Sequence, residues 1–201
     1  MNPPPHKLGL ASSLLLCILL SLFQSGINYA SEPSASITLT SLTGKTLHPL
    51  QKQNTKASVI IFITTDCPIA NALIPEINRI YDHYKTAGIQ LTLAHVDPGL
   101  SKKEARHHAK DYALRPPIVI DTQHLLVKAS QAKLTPQCAV FDAQGKLVYS
   151  GRINNQWADY GKRRAQASEH NLRDTLDAIL AGKKIQQART QAIGCYIPNL
   201  D

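Results

Sequence analysis

The strongest constraint in this chain is a switch of pattern between residues 59 and 75. Val59-Ile60-Ile61-Phe62-Ile63 is an unbroken run of β-branched and aromatic residues. It is far too short to span a membrane and lacks the alternation of a half-exposed strand, so it predicts a strand buried on both faces. Thr64-Thr65-Asp66-Cys67 ends the run. Pro68 then stands where its fixed φ and missing N–H suit the first residue of a helix. Apolar residues at 70, 73, 74, 77, 80, 81 and 84 make a helical stripe. The prediction is a strand–turn–helix unit with Cys67 just ahead of the first helical turn and Pro75 kinking the helix.

That placement matters chemically. The first N–H groups of a helix lack backbone partners and its dipole is positive there. A sulfur at the N-cap can accept the N–H of about Ala70. Both effects favour the thiolate, which is the nucleophile in sulfur chemistry. Asp66 opposes them by charge repulsion. The turn that carries Cys67 is expected to be exposed, and a cysteine merely buried at a strand end is the competing reading.

Residues 1–30 read as a secretory signal. His6 and Lys7 precede an apolar stretch from Leu8 to Phe23, and Ala30 suits the last position before cleavage. An uncleaved anchor is the alternative, although the apolar stretch is short for a full span. Cleavage after Ala30 leaves 171 residues, enough for one domain with its own core. Cys17 would be lost, leaving Cys67, Cys138 and Cys195. In an oxidising compartment one pair can bridge and one thiol is left over. The expected location is periplasmic or secreted, with membrane contact only if the leader is retained.

The rest of the chain supports an α/β domain over residues 37–182, after a polar linker at 31–36 and before a C-terminal tail at 183–201 that carries Cys195. Ile37, Leu39 and Leu42 alternate around the Thr43-Gly44-Lys45 turn, predicting an N-terminal β-hairpin. The first helix is expected to end near Gly88, a suitable C′ residue. Ile89–Val96 is a second strand. Ser101 with Glu104 makes a capping box for a helix reaching about Ala113. His107 and His108 lie on that helix. Adjacent histidines point different ways and lack metal-binding i, i+4 spacing, so both are expected at the surface. Ile118–Ile120 is a short strand, Asp121–Ala132 a helix and Cys138–Asp142 a strand. Ala143–Lys146 turns into Leu147–Tyr149, and Ser168–Ala181 is a final helix. Strands and helices alternate until the closing hairpin, which predicts a three-layer sandwich around a mixed sheet.

Charge adds little. The formal net charge is +8, with basic residues gathered at Lys162-Arg163-Arg164 and Lys183-Lys184. No aromatic interleaving or nucleic-acid motif accompanies them, so a solvated basic face is expected and a nucleic-acid partner is not.

With its strand, cysteine, helix and Pro75 eight residues on, the chain resembles the thioredoxin-like superfamily, in its extracytoplasmic redoxin branch. The second cysteine of a C-x-x-C motif would stand at 70, where this chain has Ala70. The resemblance implies the thioredoxin-like sandwich and assigns Cys67 as nucleophile. It places Thr135-Pro136 as a cis-proline loop facing the cysteine, with Thr135 and Pro136 contacting substrate. A proline lacks an N–H, so the edge beside it would be open to pair with an extended thiol substrate. The blander reading is a trans proline beginning a strand. Thr64 and Pro68 would support the site.

Exchange also needs a thiol that resolves the mixed disulfide. Cys138 stands two residues past Pro136 but is expected to point into the core. Redoxins opening with T-D-C-P-x-x-N, matched by Thr65 to Asn71, also end in a G-C-x-I segment like Gly194–Ile197. The resemblance therefore implies Cys195 as the resolving thiol, with Cys138 as the alternative.

Three functions follow as expectations. The first is an extracytoplasmic thiol–disulfide oxidoreductase acting on protein or small-molecule thiols and disulfides, served by a redox donor protein and needing no cofactor or metal. The second is a thiol peroxidase. Thr64 matches the peroxiredoxin threonine three residues before the cysteine, but Ile60 stands where that family has proline. The third is a copper-handling module, for which soft thiolates are suitable and His124 is the loose candidate ligand.

Overall fold

The computed structural model describes residues 1–2, 37–50 and 55–198. The expected leader and linker lie outside the described residues. Among these, no helix is long and apolar enough to cross a membrane. The chain divides into two units, and the described fold falls within the second, residues 34–201.

Its first elements are β1 (Leu39–Thr40) and β2 (Thr46–Leu47), an antiparallel hairpin turned through Gly44 at φ +86°. Then come β3 (Ala57–Ile63), α1 (Pro68–Tyr84), β4 (Ile89–His95), α2 (Lys102–Asp111), β5 (Ile118–Ile120) and α3 (Leu125–Ser130). They are followed by β6 (Leu134–Thr135), β7 (Cys138–Asp142), β8 (Leu147–Gly151), β9 (Trp157–Asp159) and β10 (Lys162–Arg163). The chain closes with α4 (Asn171–Leu180) and β11 (Cys195–Tyr196).

The central sheet has the order β5-β4-β3-β7-β8. Strands β3, β4 and β5 run parallel, and β7 and β8 add antiparallel. Strand β3 is central, and every residue in it is buried. That is why its sequence shows no alternation: both faces are covered. Val59, Ile61 and Ile63 pack with Leu73, Ile77 and Ile80 of α1 and with Leu172 and Leu176 of α4. Ile60 and Phe62 pack on the opposite face with Leu126 and Val127 of α3 and with Phe141. The result is the expected three-layer α/β sandwich with a mixed sheet, an N-terminal hairpin and a C-terminal helix followed by a tail.

Several boundaries differ from expectation. Helix α1 ends at Tyr84, with the Lys85 N–H returning to the Tyr81 carbonyl. Gly88, at φ +87°, instead turns the chain into β4. Helix α3 covers only Leu125–Ser130, because His124 and Gln131 both adopt left-handed conformations at its ends. Asp121 stands outside it and accepts the N–H groups of Leu125, Leu126 and Val127. The final helix begins at Asn171, not Ser168. Around Trp157, Gly161 at φ +74° turns the small β9–β10 hairpin, whose Arg163 lies over the Trp157 ring.

Helices α1 and α4 are tied by polar contacts at their edge. Tyr84 donates to Asp177 at 2.6 Å, and Arg173 donates to Glu76 at 2.7 Å. Burial pulls the Glu76 carboxyl upward, but hydrogen bonds and charge from Arg173 and Arg79 outweigh it and hold the group below its usual range. A depressed carboxyl stabilises the fold above its unfolded titration range and loses that contribution as pH falls through its folded one. Glu76→Gln is therefore expected to cost about 1 kcal/mol at pH 7, allowing for water at the rim. In denaturant titrations that difference should shrink below about pH 4.

Candidate active site

The site forms where the C-terminal end of β3 meets α1. Cys67 is the N-cap of α1 and Pro68 its first residue. The Cys67 sulfur accepts the Ala70 N–H at 3.4 Å. On its other side it donates to the Thr135 carbonyl at 3.1 Å. The Thr135–Pro136 peptide is cis, and the Thr135 carbonyl of this loop faces the sulfur. Thr64 is buried beneath, its hydroxyl 3.4 Å from that of Thr135.

Two expectations about access need correction. The turn was expected to expose Cys67, yet its exposure is 0%. The edge beside Pro136 was expected to be open for a substrate. It is occupied by the protein's own tail: β11 pairs antiparallel with β6, with Cys195 opposite Thr135 and Tyr196 opposite Leu134. Gly194 makes this approach possible. A β-carbon built there would overlap the Thr135 carbonyl oxygen and stand 2.7 Å from its carbon and 3.1 Å from the Pro136 nitrogen. These are backbone atoms that cannot swing aside.

The tail thus brings Cys195 against Cys67. Burial, a hydrogen bond with Cys67, and the negative charge that Asp66 and an ionised Cys67 place nearby push the Cys195 thiol up to about 12. Cys195 is therefore a protonated thiol at neutral pH. All three described cysteines are free. Cys138 shares the apolar cluster with Cys67, but its thiol is engaged elsewhere. It is fully buried on β7, donates to the Gly151 carbonyl at 3.3 Å, and burial pushes its thiol far up. It behaves as a core residue.

The expectation that His107 and His108 both lie at the surface holds only for His107, which pairs with Asp111 at the exposed face of α2. His108 is 5% exposed. It lies 3.3 Å from Nε2 of His95 through Nδ1 and 2.9 Å from Asn71 Oδ1 through Nε2. His95, fully buried, reaches Asp97 Oδ2 at 3.0 Å through Nδ1. Asp97 Oδ1 accepts both the N–H and the hydroxyl of Thr65. Asn71 donates back to the Thr65 carbonyl at 3.0 Å. These five residues close a ring around the Cys67 turn. The sequence carried one signal for it: the Leu91, Leu93, His95 alternation aims a histidine at the core.

His124, the loose copper candidate, is buried at the start of α3, and no group of three His, Cys, Asp or Glu residues suited to a metal occurs among the described residues.

A sandwich of this topology, with a cysteine at a helix N-cap facing a cis-proline turn, defines the thioredoxin-like class. The Redoxin family model matches residues 30–165, and the chain belongs to the redoxin family. Among curated proteins it is similar to the thiol-disulfide oxidoreductase YkuV of Bacillus subtilis (strain 168), 27% identical over 99 residues. That match covers 46% of this chain and 64% of the relative, so the chain spans less than two thirds of the length of the curated relative it matches. Among solved structures, the hypothetical protein SMc02350 from Sinorhizobium meliloti 1021 superposes with a TM-score of 0.71 at 22% identity, covering 82% of this chain and 91% of that one. An uncharacterized conserved protein from Geobacillus kaustophilus gives 0.66 at 22% identity, covering 83% and 89%.

Proposed function

We propose that the protein is a thiol–disulfide oxidoreductase working outside the cytoplasm, with Cys67 as nucleophile and Cys195 as resolving thiol. The observation that carries this reading is the seating of Cys195 against Cys67 by the β6–β11 pairing. Family membership and the activity named for the Bacillus relative support it. The hydrophobic leader supports the location.

In the reducing direction the Cys67 thiolate attacks one sulfur of a substrate disulfide. A Cys67–substrate disulfide forms, and the other substrate sulfur leaves as a thiolate that takes up a proton. Cys195 then gives up its proton and attacks the Cys67 sulfur. The Cys67–Cys195 disulfide forms, the second substrate thiol is released, and two electrons have passed to the substrate. A dithiol donor returns the protein to its starting state. Ala70 removes the usual partner inside the motif, and the tail supplies the thiol instead. Thr135 and Pro136 shape the turn against which the substrate sulfur docks, and Thr64 and Pro68 hold that turn and the helix start.

The test is to oxidise the reduced protein and digest it without reduction. A Cys67–Cys195 cross-linked peptide is expected, and so is a measurable two-electron potential that Cys195→Ser removes. A digest that gives only Cys67–Cys138, or no cross-link, ends this reading.

A further inference from the structure

The ring around the Cys67 turn has a proton count that its geometry fixes. Start at Asn71. Its amide nitrogen donates to the Thr65 carbonyl, which cannot donate in return, so its oxygen faces His108 Nε2 at 2.9 Å. That oxygen accepts, hence His108 Nε2 carries a proton. At the other end, Asp97 accepts the Thr65 N–H and hydroxyl on Oδ1 and faces His95 Nδ1 with Oδ2. With Asp97 ionised, His95 Nδ1 carries a proton too. The inner gap joins His95 Nε2 to His108 Nδ1 at 3.3 Å and needs a third. Two neutral imidazoles supply only two protons. With two, one gap would face acceptor to acceptor in a site that is 0% exposed at His95 and 5% at His108.

We infer that the His95–His108 pair holds one proton more than two neutral imidazoles, paired with Asp97, and that this proton locks the ring that positions the Cys67 turn. The inference deepens the proposed redox reading and rests on it only where Cys67 chemistry is the readout. His95 and His108 are positioning residues, since neither contacts a reacting sulfur.

The surroundings agree. Burial, then the charge of His95, depress His108, while Asp97 and Asp111 pull the other way. Asp97 Oδ2 faces His95 Nδ1 at 3.0 Å, so the geometry places the extra charge on His95, with His108 as the neutral Nε2–H form. Asp97 itself is held low: burial raises it, but His95 and the two Thr65 donors outweigh that. The Tyr112 ring packs on His108 at 4.8 Å. Beyond it, a cavity of about 880 Å³ carries Lys103, Glu104, Arg106 and Lys110 of α2 as the remaining nearby charges.

The test uses the full reduced chain labelled with ¹⁵N at histidine, assigned with His95→Gln and His108→Gln. At pH 7.5 free imidazole is mostly neutral. The expected spectrum shows one of these two rings protonated on both nitrogens and the other on Nε2 alone. Asp97→Asn is the discriminating variant. Its amide would donate to His95 Nδ1, so every gap would be filled by two neutral rings, and the doubly protonated signal should vanish while the ring persists. The second readout is the pH profile of Cys67–Cys195 closure. The wild-type rate should show a break where the pair loses its proton, and Asp97→Asn should lack that break. His108→Leu, which cannot bridge, should close about tenfold or more slowly at all pH values. Two singly protonated rings in the wild type at pH 7.5, or a doubly protonated ring retained in Asp97→Asn, would overturn the inference. So would identical wild-type and Asp97→Asn closure profiles. Failure of closure altogether counts against the redox reading, and the nitrogen spectra still decide the ring.

Discussion

Gly194→Ala is expected to detach the tail and to slow Cys67–Cys195 closure by at least about a hundredfold. The added methyl would sit inside the Thr135 carbonyl oxygen and 2.7 Å from its carbon. Both belong to the backbone of the cis-proline turn, which also holds the Cys67 sulfur through the Thr135 carbonyl. The turn is buried, so it is the tail that yields. Once β11 unpairs, Cys195 loses its register opposite Thr135. Closure then depends on chance encounter of a tethered thiol instead of a preset approach, and preset geometry is worth orders of magnitude in rate. The same change should uncover Cys67, so its alkylation by iodoacetamide should accelerate as closure slows. Stopped-flow closure and alkylation rates on one preparation check both halves. Parallel slowing of both would point to a collapsed site instead of a released tail.

Cys195→Ser is expected to stop turnover after its first step. Cys67 keeps its place at the N-cap, so attack on a substrate disulfide continues and a Cys67–substrate adduct accumulates. Nothing adjacent then resolves it. Steady-state reduction of a small aromatic disulfide should fall about a thousandfold or more, since exchange must await an external thiol at low concentration. Intact-mass spectrometry should show a stoichiometric adduct in Cys195→Ser, none in Cys67→Ser, and unimpaired turnover in Cys138→Ala. Turnover that survives in Cys195→Ser and disappears in Cys138→Ala would reverse the assignment.

The legibility of these features in the sequence follows the range of the forces behind them. The β3–α1 unit was readable because its determinants are local. A doubly covered strand shows itself as continuous apolar residues, and Pro68 and Ser101 mark helix starts within a residue of where they occur. Helix α3 was overestimated because Asp121 caps it from outside, and no propensity rule weighs a carboxylate three residues before the left-handed His124. His108 was misplaced for a different cause. Helix α2 is polar nearly throughout, and a histidine does not register in an apolar stripe. Its partners His95 and Asn71 are 13 and 37 residues away. The β6–β11 pairing joins two-residue strands whose sequences carry no periodicity at all. Only the resemblance pointed to Cys195, and neither composition nor spacing could reveal how closely Gly194 would approach the turn.

The tail's seat beside Pro136 makes the protein its own competitive ligand. A client that engages this site by laying a strand along Leu134–Thr135 contends with a rival fastened to the same molecule, and such a tether holds its end at roughly millimolar local concentration. A compact disulfide needs a smaller displacement of the tail to reach the buried sulfur. Selection among clients would then begin with who can evict the last few residues, before any sulfur is touched.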